Sequence, residues 1–204
     1  MASLRHSNGS GGGPQDGYLD AARECILDVG WRRTTLTEVA RRAGVSRMTI
    51  YRAWPDMPQL LGDLMTREWG GVVTASVAAA GPDGPAESDP VEKLVAQVAA
   101  TVRALRDNEL FLRIVELDPE LLLPYLLSRR GRSQDAILAL VEGAVRDGQA
   151  AGAVRDGDPA AIARAVVLAT HGFVLSAHTM VDDAVSEADL DEELRVLLRR
   201  TLAR

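Results

Sequence analysis

The sequence has few residues that could form a covalent or metal-bound framework. Cys25 is the single cysteine among 204 residues, so it can make neither an internal disulfide bond nor a cysteine-rich zinc site. We expect a buried, unreactive thiol, because free cysteine usually behaves as a small apolar residue. The sequence also lacks any run of about 18 apolar residues, which argues against a helix that spans a membrane.

Residues 1–16 lack the apolar stretch of a secretory signal peptide, and they are polar and rich in glycine. Serine, asparagine and glycine bury too little surface to offset the entropy of ordering, so we predict a disordered arm over residues 1–16. Because neither an export signal nor a disulfide bond is indicated, the expected location is the cytoplasm.

A net charge of −6 argues at first against a nucleic-acid partner, but the charge is unevenly distributed. Residues 1–55 contain eight arginines against five acidic residues, a formal charge of +3. The remaining residues contain 15 basic and 24 acidic side chains, a formal charge of −9. Opposite charges in two parts of one chain indicate two functions, and only the positive part suits contact with phosphate groups.

Apolar residues recur at intervals of three and four along most of the chain, which predicts an all-α protein. Residues 81–90 combine glycine, proline and no large apolar residue, so we predict a loop there. Pro124 is expected to distort the helix that contains it. The predicted helices span residues 17–29, 36–43, 47–53, a fourth from about 57, then 91–107, a short piece near 110–115, 119–127, 131–151, 159–180 and 190–203.

Residues 35–54 carry the signals of a helix-turn-helix. Thr35 and Glu38, three residues apart, match a capping box, which starts a helix. Gly44 lies where the chain must turn sharply, and glycine adopts a positive φ without steric penalty. Ser46 suits the N-cap of the second helix. The alternative interpretation is a plain helical hairpin with exposed arginines and no DNA contact.

The second helix of this unit has an inward and an outward face. Ile50 and Trp54 are four residues apart and are predicted to pack inward. Because the second helix of such a unit lies in the major groove, arginines on the outward face can pair with guanine, and a tyrosine can hold a phosphate. The predicted DNA-binding residues are Thr35, Arg47, Met48, Thr49, Tyr51 and Arg52.

Over about residues 17–65 the sequence resembles the TetR/AcrR family of bacterial transcriptional regulators. The resemblance is carried by Thr34-Thr35-Leu36, Val39-Ala40, Ala43-Gly44-Val45-Ser46 and Thr49-Ile50-Tyr51-Arg52-Ala53-Trp54-Pro55. It implies an all-α homodimer, with a three-helix DNA-binding head at residues 17–65 and a helical effector-binding and dimerisation domain at 66–204. It also implies that ligand releases the DNA, and that Thr49 and Tyr51 hold the operator.

Two positions depart from that family's pattern. Trp54 stands where phenylalanine is usual, which is a conservative change for an inward anchor. Met57 stands where a lysine that contacts phosphate is common, so this contact is not expected here. Beyond about residue 70 the resemblance is confined to a late turn between helices, at residues 148–152 and 155–159.

Only three aromatic residues lie beyond residue 70, which disfavours a pocket for stacking and favours a small lipophilic effector with an aliphatic body. Polar and aromatic residues within apolar stretches could orient this ligand, although each more often has a purely structural role. The effector-binding candidates are Phe111, Arg113, Glu116, Tyr125 and His171.

No enzyme, cofactor or metal site is predicted. The sequence has no glycine-rich phosphate loop after a strand and no nucleophile elbow. His171 and His178 are seven residues apart, which is too far along a helix to chelate one metal ion.

The last two helices are expected to form a homodimer interface, because the first of them is apolar on more than one side and the final helix adds a series of leucines. Packing against their symmetry mates would form a four-helix bundle, and the alternative is burial within one chain. The residues concerned are Val166, Val167, Thr170, Phe173, Val174, Ala177, Leu190, Leu194, Leu197, Leu198 and Leu202.

The sequence therefore favours a DNA-binding transcriptional regulator, a homodimeric repressor that a small lipophilic effector releases from a near-palindromic operator. A regulator without an effector, controlled only by its abundance, is one alternative. A helical small-molecule carrier or enzyme with a vestigial DNA-binding head is another.

Overall fold

The computed structural model describes residues 13–79 and 89–204, and this part of the chain is helical, as predicted. Apart from one isolated bridge between Val154 and Ala203, these residues contain no β-structure. The helices are α1 (Pro14–Val29), α2 (Leu36–Arg42), α3 (Arg47–Ala53), α4 (Met57–Ala79), α5 (Pro90–Arg106), α6 (Glu109–Leu117), α7 (Leu123–Leu127), α8 (Arg132–Ala150), α9 (Pro159–Leu175) and α10 (Glu187–Leu202). Short 3-10 turns lie at Trp31–Arg33, Pro119–Leu121 and Ala177–Met180.

The chain divides into two compact units between Leu64 and Met65. In the N-terminal unit, α1, α2, α3 and the first two turns of α4 contribute to a small apolar core. The largest fully buried side chains of this core are Ile26, Val39, Ile50, Leu60 and Leu64.

Cys25 lies in this core, as predicted, with 1% of its surface exposed. Burial raises the pKa of its thiol above the ordinary value, and the positive charge of Arg42 offsets only part of that shift. A thiol with a raised pKa holds little thiolate at neutral pH, and together with burial this disfavours reaction of Cys25.

α1 begins three residues before the predicted Gly17, because Pro14 occupies its first turn. Proline suits that position, since its fixed φ matches the helix and its missing N–H needs no partner there. Asp16 adds a negative charge near the positive end of the helix dipole. The prediction of a disordered arm was therefore wrong for residues 14–16, and residues 1–12 lie outside the described part of the chain.

Side-chain caps also set two later helix starts. α5 begins at Pro90, where the Asp89 carboxylate accepts a hydrogen bond from the Val91 N–H at 2.9 Å. The remainder of the predicted loop, residues 81–88, lies outside the described residues. α10 begins three residues before the predicted residue 190, because Ser186 and Asp189 cap each other's N–H groups at 3.2 Å and 2.8 Å.

The predicted helix at residues 119–127 is divided into a 3-10 turn, Pro119–Leu121, and the short α7. Pro124 distorts this segment as predicted, because proline donates no N–H hydrogen bond and its ring crowds the preceding turn. The predicted helix at 159–180 also ends early, at Leu175, since Ser176 adopts a φ of −124° and a 3-10 turn follows.

In the C-terminal unit, α5 packs against α8, α9 and α10, and α8 packs against α9. The core between these helices buries Val166, Leu194, Leu198 and Leu202 within a single chain, so these four residues do not form a dimer surface. No helix in the described residues is long and apolar enough to cross a membrane.

The turn between α8 and α9 holds the end of α10. Val154 forms the isolated bridge with Ala203. The Arg155 N–H donates to the Leu202 carbonyl at 2.8 Å, and its guanidinium Nε donates to the Thr201 carbonyl at 2.7 Å. The late turn seen in the sequence therefore joins two helix ends that are distant in the chain.

Candidate nucleic-acid interface

α2 and α3 each begin at a hydroxyl group that caps the helix. The Thr35 hydroxyl accepts a hydrogen bond from the Glu38 N–H, and the Ser46 hydroxyl accepts one from the Thr49 N–H, both at 3.2 Å. The Glu38 carboxylate binds the Arg41 guanidinium at 3.0 Å instead of completing the predicted capping box. This hydrogen bond lowers the pKa of the Glu38 carboxyl.

The turn between α2 and α3 depends on Gly44, whose φ is +67°. A side chain would strain this left-handed conformation, so glycine is the residue that fits. The Val45 N–H then donates to the Ala40 carbonyl at 3.0 Å, which closes the turn. Arg42 at the end of α2 binds Asp28 on α1 at 2.5 Å and so fixes α2 against α1.

The inward face of α3 is anchored by Ile50, which is fully buried, and by Trp54, which is 2% exposed. The Trp54 Nε1–H donates to the Asp63 carboxylate at 2.7 Å, and the Trp54 ring meets Tyr18 edge-on with centroids 6.3 Å apart. A buried indole N–H requires an acceptor. Asp63 on α4 therefore accommodates a tryptophan at this position.

The outward face of α3 lies in solvent. Arg47 and Arg52 are exposed, and 69% of Met48 and 43% of Tyr51 are accessible. Thr49 is half-buried, and its hydroxyl hydrogen-bonds the hydroxyl of the N-cap serine at 2.8 Å. No acidic residue lies in α3, so this face carries two positive charges beside a phenol and a thioether.

The starts of α2 and α4, the helices before and after α3, present fewer groups that could contact DNA. Thr35, the remaining predicted DNA contact, is exposed at the start of α2. Met57 is half-buried at the start of α4. Asp56 caps α4 by accepting hydrogen bonds from the Gln59 N–H at 2.8 Å and from its side-chain amide at 3.3 Å. The start of α4 thus carries an acidic cap and no basic side chain for a phosphate.

A family model described as bacterial regulatory proteins of the tetR family matches residues 19–64. An uncharacterized HTH-type transcriptional regulator of Mycobacterium bovis is 34% identical to this chain over 194 residues, which cover 95% of each chain. The chain belongs to the TetR family of bacterial transcriptional regulators. DNA binding is therefore the function of its N-terminal unit, in agreement with the helix-turn-helix prediction.

Solved structures share the same fold. A Rhodococcus protein of unknown function superimposes with a TM-score of 0.69 at 23% identity, covering 98% of this chain and 100% of that one. The transcriptional regulator FadR of Bacillus subtilis, in complex with stearoyl-CoA, superimposes with a TM-score of 0.67 at 18% identity, covering 92% and 98%. Identities this low support the TetR fold and no residue-level comparison.

In this TetR-family chain, the effector candidates lie on three separate helices of the C-terminal unit. Phe111 on α6 is 8% exposed and meets Trp69 edge-on, with ring centroids 5.6 Å apart. Tyr125 on α7 carries the Arg129 guanidinium over its ring at 5.3 Å. His171 on α9 is half-buried, and burial lowers its pKa. These contacts give Phe111 and Tyr125 structural partners.

The remaining two effector candidates, Arg113 and Glu116, differ in burial. Glu116 is exposed, whereas Arg113 is half-buried and its Nε is enclosed without a hydrogen-bond acceptor. The sequence reasoning missed Arg106, whose Nη2 donates to the Asp191 carboxylate at 2.5 Å. Arg103 binds the same carboxylate at 3.1 Å. The sequence does not distinguish these two arginines in the last turn of α5 from ordinary surface charges, because Asp191 lies 88 residues from Arg103 and 85 from Arg106.

Proposed function

We propose that this TetR-family regulator is a cytoplasmic homodimeric repressor, which leaves a near-palindromic operator when a small lipophilic effector binds its C-terminal unit. The observation that supports the proposal is that α3 has two different faces. One side anchors the helix through the buried Ile50 and Trp54. The other side presents positive, hydroxyl and apolar groups to solvent, which are the groups that recognise DNA in the major groove.

The exposed side chains of α3 suit different contacts. Arg47 lies at the first position of α3, where it would reach base edges and pair with guanine. Met48 beside it would contact the methyl group of thymine, since its apolar side chain is largely solvent-exposed. Contacts to phosphate fix the register of the protein without reading sequence. The residues proposed for these contacts are Thr35, Thr49, Tyr51 and Arg52.

A dimer would present two copies of α3 to successive major grooves, about 34 Å apart, which is why the operator is expected to be near-palindromic. We place the dimer interface on α9 and α10. Their fully buried residues serve the core of one chain, but Leu168 on α9 is 69% exposed and Leu197 on α10 is 41% exposed. Large exposed apolar side chains on adjacent helices support an association surface there.

The proposal of a lipophilic effector has two supports. The C-terminal unit has few aromatic residues, so a cavity among its helices would be aliphatic. The Bacillus subtilis FadR of the same fold was solved in complex with stearoyl-CoA, a long-chain acyl compound. If effector binding weakens operator binding, the operator must weaken effector binding by the same factor.

The experiment is a titration by fluorescence anisotropy on an operator that the wild-type protein selects from random DNA. Arg47→Ala is expected to weaken operator binding by about 1–3 kcal/mol and to relax the preference at one base pair. Tyr51→Ala is expected to weaken the binding of all sequences alike, because it removes a phosphate contact. Arg146→Ala is the control, since Arg146 is an exposed arginine on α8 that binds Glu142.

Unchanged operator affinity in both Arg47→Ala and Tyr51→Ala would refute α3 as the helix that contacts DNA. Salt dependence provides a separate check, because neutralised phosphates release counterions and make binding weaker at higher salt. A wild-type protein without salt-dependent DNA binding at low ionic strength would instead favour a carrier or enzyme with a vestigial head.

A further inference from the structure

A small group of charged side chains lies where the end of α5 meets the first turns of α10. Arg106 is at the C-terminus of α5, and its side chain is 10% exposed. Asp191 of α10 is equally enclosed, and its two carboxylate oxygens bind Arg106 at 2.5 Å and the half-exposed Arg103 at 3.1 Å. Two guanidinium groups against one carboxylate leave a formal charge of +1.

The Arg106 guanidinium is only partly satisfied. Its Nη2 binds Asp191, but its Nε and Nη1 are buried and have no hydrogen-bond acceptor among the described residues. Arginine stays protonated in proteins and has five N–H donors. Buried donors that have lost water without gaining an acceptor destabilise a fold, so such groups in a native structure call for an explanation, such as a bound water molecule or ion.

A second buried donor lies on the neighbouring helix. The Arg113 Nε on α6 is also enclosed without an acceptor. α6 packs against α5, and only two residues separate these helices. Leu110, three residues before Arg113, and Ile114, directly after it, are buried. Unpaired positive donors therefore occur beside apolar packing, which is the combination that suits an amphiphilic anion.

We propose that Arg106, with Arg113 as a second donor, binds the anionic head group of the effector. The inference rests on the proposed function and adds the chemical class of the ligand: an oxyanion attached to an apolar chain. Guanidinium groups form short, charge-assisted hydrogen bonds with both carboxylates and phosphates. The head group is thus either the carboxylate of a free fatty acid or a phosphate of a coenzyme A thioester.

The test measures binding by isothermal titration calorimetry with the full-length protein in the absence of DNA. The probes are fatty acids of increasing chain length, the alcohols of matched length, the corresponding acyl-coenzyme A compounds and coenzyme A alone. Wild-type protein is expected to bind either the acid or the acyl-coenzyme A at least about tenfold more tightly than the alcohol, since a hydrogen bond to a charged group is worth this much. Whether the fatty acid or the acyl-coenzyme A binds identifies the source of the oxyanion.

Two variants remove the donors while keeping the surrounding fold. Arg106→Lys retains one positive charge for Asp191 but lacks the two unsatisfied nitrogens. The double variant Arg106→Met with Asp191→Leu removes both buried charges, and Arg103, which then loses Asp191, is half-exposed to solvent. Both are expected to lose the preference for the anion while binding the alcohol as before. Arg113→Met is expected to reduce the preference in part, and Arg146→Gln is the unaffected control.

The proposal is overturned if wild-type protein binds alcohol and anion equally, if no anionic probe binds, or if the preference survives in the double variant. Circular dichroism of each variant establishes that it is folded. Operator binding measured on the same preparations tests the proposed function separately from the proposed anion site. An anion preference without DNA binding would refute the proposed function but support the anion site. DNA binding without an anion preference would support the proposed function but refute the anion site.

Discussion

Gly148→Ala is expected to destabilise the protein, although a glycine-to-alanine change inside a helix normally stabilises it. In α8, the added methyl group would lie 2.4 Å from Val154 Cγ2 and 3.3 Å from Val154 Cβ. Apolar carbons rest about 3.5–4.0 Å apart, so Val154 would have to move by more than about 1 Å.

Val154 has little freedom to move. It is 2% exposed, its N–H donates to the Gly148 carbonyl at 3.1 Å, and its backbone forms the bridge with Ala203. Overpacking of this kind costs about 1–3 kcal/mol, and the restraints on Val154 place this site near the upper end. Alanine's helix propensity returns about 1 kcal/mol, which leaves a net loss of about 2 kcal/mol.

The matched control is Gly143→Ala in the same helix, where an added methyl group meets no atom within 4 Å. It is expected to stabilise the protein by about 1 kcal/mol. The measurement is the free energy of unfolding in urea, followed by circular dichroism at one fixed protein concentration, because the proposed dimerisation would also affect this free energy. The melting temperature should fall for Gly148→Ala and rise for Gly143→Ala, by about 2–4 °C per kcal/mol. Equal stabilisation by both substitutions would refute the packing argument.

Two further predictions concern single side chains. Trp54→Phe removes the donor to Asp63 and should lower the free energy of unfolding in urea by about 1 kcal/mol. A double-mutant cycle with Asp63→Ala should give a coupling energy of similar size. Additive effects of the two substitutions would contradict a hydrogen bond between these side chains. Burial lowers the pKa of His171, so the unfolded chain binds the proton more tightly. Stability should therefore decrease as pH falls below about 6.5 through the folded pKa, and His171→Gln should flatten this dependence. If stability depends on pH equally in His171→Gln and in the wild type, His171 is not the group responsible.

Local signals were sufficient to predict α3, the helix that is proposed to contact DNA. α3 begins and ends where predicted, because Ser46 caps its start and Trp54 anchors its end. α10 begins three residues before the predicted start, although its cap, the pair Ser186 and Asp189, is also local. Apolar periodicity alone does not mark a helix end, and α9 ends at Leu175, five residues before the end of the predicted helix at 159–180.

The C-terminal unit was harder to predict because its decisive contacts are distant in sequence. The apolar stripe of α10 is compatible both with a dimer surface and with the core of one chain. Only the packing of α10 against α5 shows that Leu194, Leu198 and Leu202 belong to the core. The pairing of Arg106 with Asp191 has the same origin, since neither residue differs from an ordinary surface charge in the sequence alone.

Within the N-terminal unit, the first part of α4 fixes the end of α3. The first eight residues of α4, from Met57 to Leu64, belong to this unit. Among them, Asp63 holds Trp54, the last anchor of α3, by a 2.7 Å hydrogen bond. A displacement of this part of α4 would therefore move the anchor of α3, the helix that is proposed to contact DNA.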